Sequence, residues 1–151
     1  MVKLVSHKSG KIAALIQSLE GREFDAHYLG YFHCFNQQLF FEAHEVLEEL
    51  WLPQRGQTND LFFKGLIQLA GAFVHIQKNR RQPAIALFKL ARLNLGKYPG
   101  IYESLDTLEV QNLISAWLER LETEEKFRTA ALESIRWPKL VISEAQPSVK
   151  P

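Results

Sequence analysis

Between Phe40 and Trp51 the chain reads FFEAHEVLEELW, an apolar helical run interrupted by one imidazole and four carboxylates. At about 100° per residue, Phe40, Leu47 and Trp51 fall within about 60° of His44, and Glu48 lies about 40° to its other side. Glu42, Glu45 and Glu49 occupy a more outward arc, with Glu45 near the boundary. The next long apolar run, DLFFKGLIQLAGAFVHIQKN, carries a second polar stripe of Gln68, Gly71 and His75, with Lys64 and Lys78 at its edges and Asn79 alongside. If the two stripes face one another, His44 and Glu48 meet Gln68 and His75. An ionised carboxylate buried alone is costly, whereas imidazole and amide donors satisfy it. The expected arrangement is therefore a buried His/Glu/Gln network, covered by Trp51 with its indole N–H donating into it.

The same residues allow a second chemistry. His44 and Glu48, four apart on one helical face, can approach a single ion, and His75 can supply a third ligand. In a hydrolase of this kind zinc or another divalent metal would activate water, Glu45 would handle protons, and Gln68 would orient water or substrate. The fingerprint is incomplete. HEVLE lacks the second histidine of HExxH, and the paired Glu-x-x-His units of di-iron bundles are absent. No cofactor is required by the sequence, and no catalytic residue is assigned beyond the candidates Glu45, Glu48 and Gln68.

The elements that must position these groups read as helices throughout. Ile12, Leu15, Ile16 and Leu19 repeat at helical spacing from Ser9 to Glu20, with Gly21 placed to end the run. A second helix is expected from about Asp25 to Gln37, carrying Tyr28, Tyr31, Phe32 and Phe35, with Gly30 as a weak point inside it. The third runs from Leu39 to Leu52 and stops at Pro53. Thr58, Asn59 or Asp60 caps the fourth, which extends to about Asn79 and is apolar around much of its circumference, the mark of burial on several sides. Pro83 suits the first turn of the fifth, whose stripe is Ala84, Leu87, Phe88, Ala91 and Leu95, closed by Gly96 and KYPG. Asp106 or Thr107 opens a sixth, with Leu108, Leu113, Ile114, Trp117, Leu118 and Leu121 inward. A further short helix is possible over Glu122 to Ser134. The VIS segment is too short to establish a sheet. The fold class is all-α, a compact bundle of about five to six helices with mainly antiparallel neighbours. Residues 1–140 form one domain, and 141–151 read as a flexible tail.

Composition sets the outer limits. The 151 residues carry 18 Lys and Arg against 17 Asp and Glu, a formal +1, so overall charge does not argue for a nucleic-acid or anionic-membrane partner. Hydrophobic residues make up 46% of the chain, enough for a real core. Cys34, the one cysteine, excludes an internal disulfide and a thiolate-cluster metal site. The opening MVKLVSHKSGK lacks the apolar run of a secretory signal, and Lys64, Gln68 and His75 interrupt the longest apolar candidate for a membrane span. A soluble cytoplasmic protein is the expectation.

Other polar residues have ordinary readings. His33 belongs to a polar face rather than serving as a base for its neighbour Cys34, which is expected to be packed. His7 and His27 show no convincing partners. Asn36 terminates the second helix or joins it to the third through side-chain hydrogen bonds, and Asn79 caps the fourth. Lys78, Arg80, Arg81, Lys89 and Arg92 form a solvated helix end and face, the one feature on which a nucleic-acid adaptor could rest.

Three ordered segments resemble the uncharacterised helical family numbered 309 among domains of unknown function. They are FNQQLFFEAHEVLEELW at Phe35–Trp51, GLIQLAGAFVHIQKN at Gly65–Asn79 and PAIALFKLA at Pro83–Ala91. The resemblance spans about residues 30–95, the motif core. It places Asn36, His44, Glu45, Glu48, Trp51, Gly65, Gln68, His75 and Asn79 at the family's motif positions, and Pro83 stands where a small residue is common. It implies a compact all-helical protein and brings no activity with it. The expected role is therefore structural or interaction-based, with self-association through the aromatic face of Tyr28, Tyr31 and Phe32 or with a protein partner. The metal-dependent hydrolase and the nucleic-acid adaptor remain as alternatives.

Overall fold

The computed structural model describes residues 9–22, 24–123 and 135–143. Six helices carry the described fold: α1 (Ser9–Leu19), α2 (Ala26–Asn36), α3 (Phe40–Trp51), α4 (Asp60–Gln77), α5 (Arg81–Leu95) and α6 (Thr107–Thr123). They form an all-α bundle with mainly antiparallel packing. α4 is the central helix, with α3 and α5 against it; α2 packs on α3, α1 on α2 and α6 on α5. Among the described residues no helix is long and apolar enough to cross a membrane.

Local chemistry sets the helix ends. The Asp25 carboxylate accepts from the His27 backbone N–H at 2.7 Å and caps α2. Asp106 does the same for α6, accepting from the N–H groups of Leu108 and Glu109. At the other end of α4, Asn79 adopts φ +58°, and Arg80 N–H reaches back to the His75 carbonyl at 2.8 Å. Asn79 is thus the left-handed residue that closes a Schellman motif, the capping role its position suggested. Pro53 ends α3 as expected, inside a single 3₁₀ turn at Leu52–Gln54.

The core is aromatic. Phe73 of α4 stacks on Phe40 at 5.1 Å and meets Phe35, Phe88 and Trp117 edge-on. Tyr28, Tyr31 and Phe32 lie inside this core and are 3%, 0% and 5% exposed. That overturns their expected role as a self-association face: their three-and-four spacing marks the side of α2 that packs inward. The Tyr31 hydroxyl donates to the Leu66 carbonyl at 2.6 Å and that of Tyr28 to the Glu103 carbonyl at 2.9 Å, so neither ring buries an unpaired oxygen. Gly30 has a packing reason to interrupt α2. A Cβ there would stand 3.1 Å from Ile16 and 3.2 Å from Val46, so its absence lets α1 and α3 close over the helix.

Two features escape the sequence reading. Residues after KYPG form a short antiparallel hairpin, β1 (Ile101–Tyr102) and β2 (Leu105–Asp106), and Ile142 bridges to Leu105 beside it. Residues 135–143 are also docked. Leu140 is buried, Trp137 stacks on Trp117 at 6.4 Å, and the Asn36 carboxamide grips Leu140 twice. Its Nδ2 donates to the Leu140 carbonyl at 2.8 Å, and its Oδ1 accepts the Leu140 N–H at 2.7 Å. Asn36 is therefore a long-range clamp, not a link between α2 and α3. Of the tail expected at 141–151, residues 144–151 lie outside the described structure, as do His7 and all but the start of the short helix expected over Glu122–Ser134.

Candidate binding cleft between three helices

Helices α3 and α5 flank α4 and leave a cleft of about 290 Å³ above it. The floor comes from α4: Ile67, Gln68, Gly71, Val74 and His75. Phe41 and His44 of α3 form one wall, and Leu87 of α5 the other. The depth depends on Gly71, whose missing side chain leaves room for Leu87; a Cβ there would lie 3.1 Å from the Leu87 methyl. The two stripes read from the sequence therefore do face one another, and His44, Gln68 and His75 border one space.

The hydrogen bonding differs from the expected network. Gln68 Oε1 accepts from Asn94 Nδ2 at 2.8 Å, tying α4 to α5. Asn94 is buried and was missed; its signal was a polar residue on the apolar stripe, three residues beyond Ala91. Gly65 makes room for that pairing, since a Cβ there would clash with Leu95 at 2.8 Å and touch the Asn94 side chain.

Glu48 does not enter the core. Its side chain is 40% exposed, and its carboxylate lies 4.0 Å from His44 Nε2, at the limit of an ion pair and beyond hydrogen-bond reach. The offset of about 40° explains this: Glu48 sits on the solvent side of the arc that His44 turns inward. Trp51 likewise serves elsewhere. Its indole N–H donates to Asp60 Oδ1 at 2.7 Å, and Asp60 also accepts from the Gly56 N–H at 2.7 Å, so the pair staples the α3–α4 connection. These two hydrogen bonds hold the Asp60 carboxyl below its ordinary value.

The imidazoles are the unsatisfied groups. Nδ1 of His44 and Nδ1 of His75 are both shut away from solvent with no hydrogen-bond partner. An N–H left without an acceptor in such a place costs more than a bare lone pair facing apolar atoms. Each ring is therefore best satisfied with its proton on Nε2. In His44 that nitrogen faces Glu48. Burial, then the charges of Arg80 and Lys78, hold His75 below its ordinary value, so its ring is neutral near pH 7.

Among the described residues no group of three or more His, Cys, Asp or Glu is gathered so as to hold a metal ion. His27 bridges helices, 3.3 Å from Asp25 and 3.3 Å from Glu49, and is not the partnerless surface residue expected. Cys34 is buried, and burial pushes its thiol up to about 12, consistent with a packed side chain. In the basic group, Arg81 Nε donates to the Leu121 carbonyl and Lys89 pairs with Glu122 at 3.1 Å.

The cleft, the clamping residue Asn36 and the Asn79 cap fall in one continuous stretch. Residues 28–95 match the family described as domain of unknown function DUF309. A little under half of the chain is thus similar to that family. The DUF309 segment runs from within α2 to the end of α5 and includes every residue lining the cleft. No curated protein and no solved structure matches the chain.

Proposed function

We propose that this protein is an interaction module whose recognition surface is the α3–α4–α5 cleft. The observation that carries this reading is the cleft's composition. Four apolar side chains surround a few fixed polar groups, two of them rings with a buried nitrogen that the fold leaves unpaired. Pockets that bind are mostly apolar with a small number of placed polar groups, and unsatisfied polar atoms in a folded protein call for an explanation. The exposed Phe41 ring, at 43%, and Leu90, at 44% one turn from Leu87, extend the apolar surface past the cleft mouth. A bound group shields this surface and uses the remaining donors. The metal-hydrolase reading has less behind it, because the third donor, Glu48, stands at the rim and does not line the cleft.

NMR mapping with a small apolar alcohol such as isobutanol tests the reading. The expected result is saturable shifts confined to the methyl groups of Ile67, Val74 and Leu87, abolished in Gly71→Leu while the unfolding midpoint stays within a few degrees. Shifts spread over the surface, or unchanged in Gly71→Leu, would contradict it.

A further inference from the structure

The cleft is electrically lopsided, and this points to the kind of group it holds. At the α4 C-terminal end, Arg80 and Lys78 lie close enough to His75 to disfavour its protonation. At the other wall the Glu48 carboxylate stands 4.0 Å from His44 Nε2, so the negative charge of the site lies at that end. The polar groups left to a ligand at the His75 end are donors. His75 offers Nε2–H, because its Nδ1 is shut away without an acceptor. Gln68 offers its amide N–H groups, because Asn94 holds the carbonyl side of that amide. Donors on an apolar floor, with two cations beside them and a carboxylate opposite, match a ligand with an apolar body and an anionic acceptor at one end.

Resting on the cleft as a binding surface, we propose that its occupant is the C-terminal residue of a protein partner. The apolar side chain of that residue sits over Gly71 between Phe41 and Leu87, and its terminal carboxylate accepts from His75 and Gln68. Capture of a chain terminus by converging donors is an established recognition mode, and hydrogen bonds to a carboxylate are stronger than neutral ones. The apolar surface continuing over Leu90 gives the preceding residues of such a partner a place to lie. The same head-and-body chemistry occurs in a free medium-chain acid, so the probes must separate the two.

Titration of the full chain with acetyl-Ala-Ala-Leu as free acid, with its C-terminal amide and with octanoate, followed by NMR, tests the assignment. The free-acid peptide is expected to shift Ile67, Gly71, Val74 and Leu87, and amidation to weaken it by about tenfold, the size of one lost charge-assisted contact. His75→Leu, which removes an unpaired buried nitrogen and so leaves the fold intact, is expected to erase the difference between acid and amide. Equal binding of acid and amide in the cleft would overturn the carboxylate assignment and leave the interaction surface standing. Tighter binding of octanoate than of the peptide would overturn the protein terminus as its source. Shifts from none of the three probes, together with no isobutanol binding, would remove the interaction surface itself.

Discussion

The aromatic core and the cleft are built from opposite faces of the same helices, and they treat polar atoms differently. In the core every polar group described above has a partner: Tyr31 on Leu66, Tyr28 on Glu103, Asn36 on both backbone groups of Leu140. In the cleft, two imidazole nitrogens are enclosed and left alone. A fold able to satisfy Asn36 across 104 residues of sequence has no general difficulty in pairing buried groups. The contrast supports the proposal that the core serves stability and the cleft recognition.

The largest test of the core side is Phe73→Ala. Phe73 touches Phe35, Phe40, Phe88, Trp117 and Trp137, and its loss should cost about 3–5 kcal/mol by urea denaturation. A loss below about 1 kcal/mol would mean that the aromatic cluster is loosely packed. Asn36→Ala should cost about 1–3 kcal/mol, because both backbone groups of Leu140 lose their partner. Hydrogen exchange at Leu140 should rise in the same variant. If Leu140 stays protected, the clamp does not hold the segment.

Why was one face easier to read than the other? Apolar spacing marked all six helices, because burial of a stripe follows directly from periodicity. The same spacing shows that Tyr28, Tyr31 and Phe32 share one face of α2, but whether that face meets its own chain or a second copy depends on how the other helices pack. The wheel correctly turned His44 toward Gln68 and His75, since those angles depend only on helix geometry. It placed Glu48 too far in, because an arc boundary falls between side chains and a small rotation decides it. Trp51 to Asp60 and Asn36 to Leu140 depend on loop and tail geometry, which no helical period encodes. Asn94 was legible as a polar break in the α5 stripe. The hairpin was not, because two-residue strands carry no alternation.

Two histidines sharpen the comparison through pH. His27 lies between Asp25 and Glu49; the Asp25 hydrogen bond, against burial, raises its value. Its contribution is present in full below the unfolded value near 6.5 and is lost as pH rises through the higher folded value. Being partly exposed, it should amount to about 0.5 kcal/mol. His75 is shifted down, so the sign reverses. Its stability is complete above about 6.5 and falls as pH drops from there toward the lower folded value. Unfolding midpoints between pH 5 and 8 should therefore change slope in opposite directions in His27→Gln and His75→Leu. Slopes changing in the same direction would contradict the pairing of one ring and the isolation of the other.

The smallest effect belongs to Glu48. A buried network would make Glu48→Ala cost about 1–3 kcal/mol. With its carboxylate at the solvent edge, 4.0 Å from His44, the expected change is about 0.5 kcal/mol or less. A larger loss in the unfolding midpoint would restore Glu48 to the interior.

The most direct test of the cleft's character is the protonation pattern of its two rings. Long-range ¹H–¹⁵N spectra of histidine-labelled protein report which nitrogen carries the proton. Both His44 and His75 should show Nε2–H with a bare Nδ1, and the His75 ring should be neutral at pH 7. A proton on Nδ1 of either ring would mean that an acceptor stands there after all, and the cleft would lose the unpaired atoms that distinguish it from the core.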